Sequence, residues 1–101
     1  MTGGAQGVGK AIAHALARDG HVVVLDVAET VDADLAAHER VKFLAGDAAD
    51  PDRASAAAAL AESAAPLFGW VNNAAVFRDA DLRTATAPHV LEPIAANLAP
   101  T

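Results

Sequence analysis

The chain has 101 residues, a formal net charge of −6 and no cysteine. This length suits a single domain. The acidic balance argues against a nucleic-acid partner or an anionic membrane surface. Without cysteine, neither a disulfide framework nor a thiolate site can form. This composition is compatible with the cytoplasm, which is the location that we expect.

Neither a metal site nor a membrane segment is predicted. The histidines do not have the spacing of a shared ligand set; they are His14, His21, His38 and His89. No apolar run reaches the length of about 18 residues that a membrane span needs, because Glu62 interrupts the best candidate. The N-terminus also lacks the basic and then apolar pattern of a secretory signal.

The first half of the chain alternates helices with short strands. Small and apolar residues at helical spacing predict a helix over 8–17. The run 21–26, rich in β-branched residues, is typical of a strand buried on both faces in a parallel sheet. A weaker helix is predicted over 31–39, and a second strand over 41–45.

The second half continues this alternation. An Asp-Pro pair at 50–51 predicts the start of an alanine-rich helix that runs to about residue 64. A third strand is predicted over 67–71. A last helix is predicted over 87–98, with Thr86 as its N-cap. Such an order indicates an α/β fold with a parallel sheet.

The first eleven residues, MTGGAQGVGKA, contain two overlapping phosphate-binding patterns. Gly4 to Lys10 reads G-x-x-x-x-G-K, which is most of a P-loop. Thr2 to Gly9 reads T-G-x-x-x-G-x-G, a glycine-rich turn of the kind that binds dinucleotides. A P-loop needs a serine or threonine after its lysine to bind magnesium, and Ala11 stands there instead. The pattern therefore favours a dinucleotide.

Asp26 supports the dinucleotide interpretation. In such folds a carboxylate at the end of the second strand, about 20 residues past the glycines, hydrogen-bonds the adenosine ribose. Its charge would repel a 2′-phosphate, and no arginine stands at Gln6 or Val27 to offset that repulsion. We therefore expect NAD rather than NADP. The alternative is that Asp26 only begins a loop.

Together these motifs resemble the short-chain dehydrogenases/reductases over the whole chain. The resemblance rests on Thr2-Gly3-x-x-x-Gly7-x-Gly9, Asp26, Gly46-Asp47-Ala48, Asn72-Asn73-Ala74-Ala75 and Asn97-Leu98. It implies a Rossmann-type doubly wound parallel sheet, of which residues 1–101 form an incomplete NAD-binding domain. We expect truncation in the first strand and after the helix that carries Asn97. The family pattern is Asn-Asn-Ala-Gly, and this chain has Ala75 in place of the final glycine.

The resemblance assigns roles in cofactor binding to the glycine-rich turn. Gly3 would permit the tight turn, Gly7 would let the backbone approach the pyrophosphate, and Gly9 would allow close helix packing. Gln6 and Val8 would lie along the cofactor through their backbones. The alternative is a glycine-rich loop without a ligand.

The resemblance also assigns roles further along the chain. Asp47 would meet the adenine amino group, the Ala48 N–H a ring nitrogen, and the Asn73 backbone the adenosine ribose. Asn97 would bend its helix and hold a water in the catalytic proton relay. Alternatively, Asp47 only stabilises its turn and Asn97 is an exposed helix-end residue. Trp70 is expected in the core or in a strand.

The family transfers hydride between a nicotinamide and an alcohol or carbonyl carbon, using a serine, a tyrosine and a lysine four residues after the tyrosine. This chain contains no tyrosine, and Ser55 and Ser63 lie in the wrong helix. We therefore expect the cofactor-binding front portion of an NAD-dependent oxidoreductase, inactive alone, whose parent is a homo-oligomer acting on a small molecule. The alternatives are a non-enzymatic NAD-binding or regulatory module and a structural fragment without a ligand. Loss of a central first strand also predicts that the isolated chain is molten, is aggregated, or folds only with help from another chain.

Overall fold

A computed structural model of the chain describes residues 1–76, 83 and 86–99. Helices and strands alternate in this part of the chain, as the sequence predicts. Their order is α1 (Gly7–Leu16), β1 (Val22–Asp26), α2 (Ala33–Ala36), β2 (Val41–Ala45), α3 (Pro51–Glu62) and α4 (Ala87–Leu98). The predicted α/β class is confirmed, and the arrangement is that of a partial Rossmann-type fold.

Strands β1 and β2 form a parallel pair. Their register runs from Val22 opposite Val41 to Asp26 opposite Ala45. The first four residues of β1 are buried, as expected for a β-branched run with helices on both sides. The carboxyl ends of both strands therefore lie at the same edge of the sheet.

The first residues of the chain lie on the other side of β1. Thr2 forms a parallel bridge with Leu25. The Leu25 N–H donates to the Met1 carbonyl, and the Gly3 N–H donates to the Leu25 carbonyl, both at 2.9 Å. The Thr2 N–H donates in the opposite direction, to the Val71 carbonyl at 3.0 Å. Residues 1–2 therefore lie between β1 and the segment that carries Val71.

The core is divided between the two faces of β1, because successive side chains of a strand point to opposite sides. On one face Val22 and Val24 pack with residues of α1 and its C-cap, of α2 and of β2, namely Ala13, Ala17, Leu35 and Val41. On the other face Val23 and Leu25 pack against Ala57 of α3. The sheet thus has a helix layer on each side, which is what the doubly wound pattern requires.

Residues 67–71 do not form the strand predicted for them. Phe68 is 94% exposed and Trp70 is 40% exposed, so Trp70 is not a core residue either. A strand in a parallel sheet needs a neighbouring backbone along its length. In the described part of the chain, only residues 1–2 lie between this segment and β1, and they reach it at Val71. The sequence prediction was wrong because it read local composition without that neighbour.

The other boundaries agree closely with the sequence predictions, apart from α2. Helix α3 begins at Pro51, and the Asp50 side chain accepts a hydrogen bond from the Asp52 N–H. Helix α4 spans the predicted residues, with Thr86 as its cap. Helix α2 is only four residues long, against the predicted 31–39.

Candidate functional site

A cleft of about 620 Å³ opens at the carboxyl ends of β1 and β2. Its walls are the glycine-rich turn, the residues that follow each strand, the loop 73–76 and the end of α4. All ten site residues predicted from the sequence line it; they are Gly3, Gln6, Gly7, Val8, Gly9, Asp26, Asp47, Ala48, Asn73 and Asn97. The fold therefore brings together residues from five separate stretches of the chain.

Glycine is required in the turn because the backbone passes very close to other backbone atoms. A Cβ at Gly9 would lie 1.9 Å from the Gly3 carbonyl oxygen, and one at Gly3 would lie 2.6 Å from the Ala74 Cα. Gly7 has a φ of 59°, in the left-handed region, and no heavy atom lies within 4 Å of a Cβ built there. The glycine-rich turn is thus tightly packed at Gly3 and Gly9 and open at Gly7.

The N-terminus of α1 lies in the wall of this cleft. Gln6 is its N-cap residue but makes no side-chain capping hydrogen bond, and no acidic residue occurs in the first turn. The first N–H groups of a helix lack intrahelical partners and carry a partial positive charge. This end of the cleft is therefore chemically suited to an anion such as a phosphate.

Asp26 holds the glycine-rich turn against the end of β1. Its Oδ2 accepts a hydrogen bond from the Ala5 N–H at 3.0 Å, and its Oδ1 accepts one from the Ala28 N–H, also at 3.0 Å. Each carboxylate oxygen has more than one acceptor direction. Asp26 can therefore fix the turn and still present negative charge to a ligand in the cleft.

Asp47 stabilises the turn that follows β2. Its Oδ1 accepts a hydrogen bond from the Ala49 N–H at 2.8 Å, which is an Asx turn. The turn-stabilising alternative is thus realised in the structure. Since Asp47 is exposed and also lines the cleft, its adenine contact stays a prediction.

Thr2 and Asn73 join the loop 73–76 to the glycine-rich turn. Thr2 is only 1% exposed, and its hydroxyl accepts from the N–H groups of Asn73 and Ala74, each at 3.1 Å. The Asn73 Nδ2 donates to the Gly3 carbonyl at 2.9 Å. Sequence reasoning gave Thr2 no role of its own. The available signal was a hydroxyl residue directly before the first glycine.

Asn97 links α4 to the same loop. Its Oδ1 accepts from the Val76 N–H, and its Nδ2 donates to the Val76 carbonyl at 2.8 Å. One side chain thus satisfies both backbone groups of Val76, which places the end of α4 along the cleft. The proton-relay role stays a prediction, because these bonds describe only a positioning contact.

Lys10 points away from the cleft, towards the start of α2. Its ammonium group pairs with Asp32 and, at 3.3 Å, with Asp34, and the His14 Nε2 lies 3.2 Å from an Asp34 oxygen. The hydrogen bond to Asp32, more than the one to Asp34, raises the pKa of Lys10. Lys10 is not among the residues that line the cleft, which argues further against a P-loop.

Within 1–76, 83 and 86–99, no group of three or more histidine, aspartate or glutamate residues is arranged to hold a metal ion. No helix in this part of the chain is long and apolar enough to cross a bilayer.

Comparison with known proteins identifies the family. Residues 1–101 match the family model of the short chain dehydrogenases. An uncharacterised oxidoreductase of Methylorubrum extorquens is 36% identical over 97 residues, which cover 88% of this chain and 39% of the relative's length. The chain thus spans well under half the length of this curated relative. Members of the family generally bind nicotinamide cofactors, and this chain belongs to the short-chain dehydrogenase/reductase family.

Proposed function

We propose that the cleft binds NAD and that the chain is the cofactor-binding part of an oxidoreductase acting on an alcohol/carbonyl pair. The observation that carries the proposal is the convergence of all ten predicted site residues on one cleft. Family membership supports a nicotinamide cofactor in general. The choice of NAD and the reaction rest on the chemistry of the lining residues.

The residues that line the cleft support a dinucleotide as its ligand. The glycine-rich turn leaves the backbone at Gly7 open, beside a helix N-terminus without a side-chain cap. We assign the pyrophosphate to this end. We assign the adenosine ribose to Asp26 and Asn73, and the adenine to Asp47 and Ala48. When bound, NAD supplies a nicotinamide carbon that accepts or donates hydride.

The charges around the cleft favour NAD over NADP. Asp26 and Asp47 are both acidic, and no lysine or arginine is among the described residues that line the cleft. A 2′-phosphate placed beside Asp26 would meet a carboxylate without a compensating cation. Gln6 and Val27, which also line the cleft, offer no positive charge.

Hydride transfer itself is proposed for a protein in which this cleft is combined with the family's tyrosine and lysine. The chain has no tyrosine, so the proton of an alcohol has no phenolic acceptor here. We expect the purified 101-residue chain to bind NAD and to leave it unreduced in the presence of alcohols. A small-molecule substrate, a homo-oligomeric parent and a cytoplasmic location stay predictions.

A second candidate function is a non-enzymatic NAD-binding or regulatory module. The glycine-rich turn and the uncapped helix N-terminus in the cleft support it equally, and it makes the same prediction about NAD binding. The two candidates differ in hydride transfer. Reduction of NAD by a gene product that contains these residues together with a Tyr-x-x-x-Lys motif would support the oxidoreductase.

Calorimetric titration of the 101-residue chain with NAD and with NADP tests the proposal. We expect saturable NAD binding with a Kd at least about tenfold lower than that for NADP, equivalent to about 1.4 kcal/mol. Absence of NAD binding by a chain that melts cooperatively, or tighter binding of NADP, would overturn it. ADP-ribose is the control ligand for NAD, because it keeps the adenosine and the pyrophosphate of NAD and lacks only the nicotinamide.

A further inference from the structure

Residues 27–32 join the end of β1 to the start of α2, and we call them the 27–32 loop. The loop begins in the wall of the cleft, because Val27 lines the cleft next to Asp26. It ends at Asp32, the N-cap residue of α2. In the proposed NAD complex the adenosine ribose lies against Asp26. The position of this loop therefore determines how much room there is beside the ribose 2′ carbon.

Contacts with β1 and with the core hold the loop near its start. The Ala28 N–H donates a hydrogen bond to the Asp26 Oδ1 at 3.0 Å. Val31 is partly buried and packs against the core cluster on the α1 side of the sheet. Val27, whose side chain is exposed in the cleft wall, is not part of that cluster. The path of the loop therefore also depends on where α2 is docked.

Helix α2 depends on α1 for its position. It has only four residues, Ala33–Ala36, and so short a helix is not stable by itself. Its buried residue is Leu35, which packs with Ala13 of α1 and Ala17 at the end of that helix. A single apolar contact fixes one point of α2 and leaves its orientation about that point open. A second contact must hold the start of the helix.

Lys10 provides this second contact. It lies three residues before Ala13 and four before His14, so the three residues share the face of α1 that meets α2. The Lys10 ammonium pairs with Asp32 and, at 3.3 Å, with Asp34, which also lies 3.2 Å from the His14 Nε2. Asp32 makes no side-chain capping bond to α2. Its carboxylate instead ties the end of the 27–32 loop to α1.

We propose that Lys10 is a positioning residue for the adenosine ribose. By holding the start of α2, it keeps the 27–32 loop close to Asp26 and narrows the space that a 2′-phosphate would need. This inference rests on the NAD site proposed above, and it assigns part of the discrimination against NADP to shape in addition to the charge of Asp26. Lys10 is not among the cleft-lining residues, so it acts through the loop and not on the cofactor.

Calorimetric titration of Lys10→Met with NAD and NADP separates this role from a simple effect of charge. Loss of a positive charge alone would weaken NADP more than NAD, because NADP carries one more phosphate, and would raise the ratio of the NADP and NAD dissociation constants. A loop that is free to move away from Asp26 has the opposite effect. We expect the ratio to fall about threefold, a size that is usual for a residue acting without ligand contact.

Lys42→Met is the matched control. Lys42 is exposed on β2 and is not among the residues that line the cleft. This variant loses the same charge and leaves the pairs of Lys10 intact. We expect its ratio of dissociation constants not to fall. A fall equal to that in Lys10→Met would overturn the proposal, because the effect would then not depend on the contact with α2.

A second variant removes the partners of Lys10 and leaves Lys10 in place. Asp32→Asn combined with Asp34→Asn should lower the ratio as Lys10→Met does, whereas net charge alone predicts opposite changes for the two variants. In the ligand-free chain, the Ala28 amide should exchange its hydrogen faster in both variants than in the wild type. A ratio that is unchanged in either variant, a ratio that rises in Lys10→Met, or an unchanged Ala28 exchange would overturn the proposal.

Failure of the wild-type chain to bind NAD has a different meaning. It would overturn the assignment of the cleft as an NAD site and, with it, the role of Lys10 towards the ribose. The Ala28 exchange of the ligand-free chains would still show whether the ion pairs hold the 27–32 loop. Normal NAD binding with unchanged ratios in the variants would overturn the role of Lys10 alone.

Discussion

The side-chain amide of Asn73 donates a hydrogen bond to the carbonyl oxygen of Gly3 across 2.9 Å, joining residues that are 70 positions apart in the chain. Gly3 is held at a φ of 70°, and its carbonyl also limits the approach of Gly9. The loop 73–76 thus determines how the glycine-rich turn is shaped. The phosphate end of the proposed NAD site depends on a contact that is remote in sequence.

Asn73→Ala should weaken both the fold and NAD binding. It removes the bond to Gly3 and leaves that partly buried carbonyl without this donor, which costs about 1–2 kcal/mol of unfolding free energy. We expect the Kd for NAD to rise about tenfold. Asn72→Ala is the control, because Asn72 is exposed and its side chain accepts a hydrogen bond from the Trp70 indole rather than from the glycine-rich turn. Equal effects of both variants on NAD affinity would contradict the role of Asn73.

Gly9→Ala should abolish NAD binding. The added Cβ would lie 1.9 Å from the Gly3 carbonyl oxygen, so the turn and α1 must separate, at a cost of about 3 kcal/mol. Gly20→Ala adds the same atom where no heavy atom lies within 4 Å, and we expect a change of less than about 0.5 kcal/mol. Chemical denaturation and NAD titration of both variants measure the difference. Normal NAD affinity in Gly9→Ala would show that this close approach is unimportant.

Asp26→Asn should reduce the discrimination between NAD and NADP. The substitution removes the negative charge but keeps an oxygen acceptor for one of the two backbone N–H groups that Asp26 binds. We expect the ratio of the NADP and NAD dissociation constants to fall about tenfold. Glu62→Gln changes the net charge equally at the exposed end of α3 and should leave the ratio unchanged. If both variants change the ratio alike, the effect comes from the net charge of the chain and not from the position of Asp26.

Substitutions at Asn97 should release α4 from the loop 73–76. Asn97→Ala removes both bonds to Val76, whereas Asn97→Asp keeps the acceptor for the Val76 N–H and loses the donor to its carbonyl. We expect faster hydrogen exchange in α4 for both, with the aspartate variant intermediate. Protection of α4 that is unchanged in Asn97→Ala would mean that other contacts hold the helix.

The ion pairs of Lys10 should make the free energy of unfolding depend on pH in the acidic range. Loss of solvent raises the pKa of Asp34, but the hydrogen bonds from Lys10 and the Leu35 N–H, with the charges of Lys10 and His14, outweigh this and lower it. Because the folded-state pKa lies below the ordinary value of 3.8, Asp34 makes its full contribution to the free energy of unfolding when the pH is above that value. It is lost as the pH falls through the lower, folded-state pKa.

Thermal melts across this acidic range measure the effect. We expect the Tm difference between the wild-type chain and Lys10→Met to shrink as the pH falls below 3.8, and to shrink also in 1 M salt, because both side chains are near the surface. A Tm difference that is independent of pH and salt would show that Lys10 acts through the packing of its aliphatic stem.

Most helix boundaries could be predicted because local chemistry sets them. The Asp-Pro start of α3 and the Thr86 cap of α4 are properties of a few adjacent residues. The strand predicted over 67–71 could not be judged in this way, because a strand exists only beside another backbone. The ends of α2 were also missed, since its sequence has little helical periodicity.

The site residues were predicted in two different ways. The glycines and Asp26 belong to one turn–helix–strand unit, so their spacing alone indicated a shared cleft. Asp47, Ala48, Asn73 and Asn97 were assigned only through the family resemblance. The bonds of Thr2 to Asn73 and of Asn97 to Val76 join distant parts of the chain. They depend on how the sheet and helices pack, and no local pattern contains them.

The most direct test of the central claim is a map of NAD binding onto the backbone amides of the 101-residue chain by two-dimensional NMR. We predict that NAD perturbs the amides of the glycine-rich turn and those of Asp26, Asp47 and Asn73, and leaves the amides at the amino-terminal end of β1, around Val23, unchanged. Perturbations confined to the amino-terminal end of β1, or none at saturating NAD, would contradict the assignment of the cleft as an NAD site.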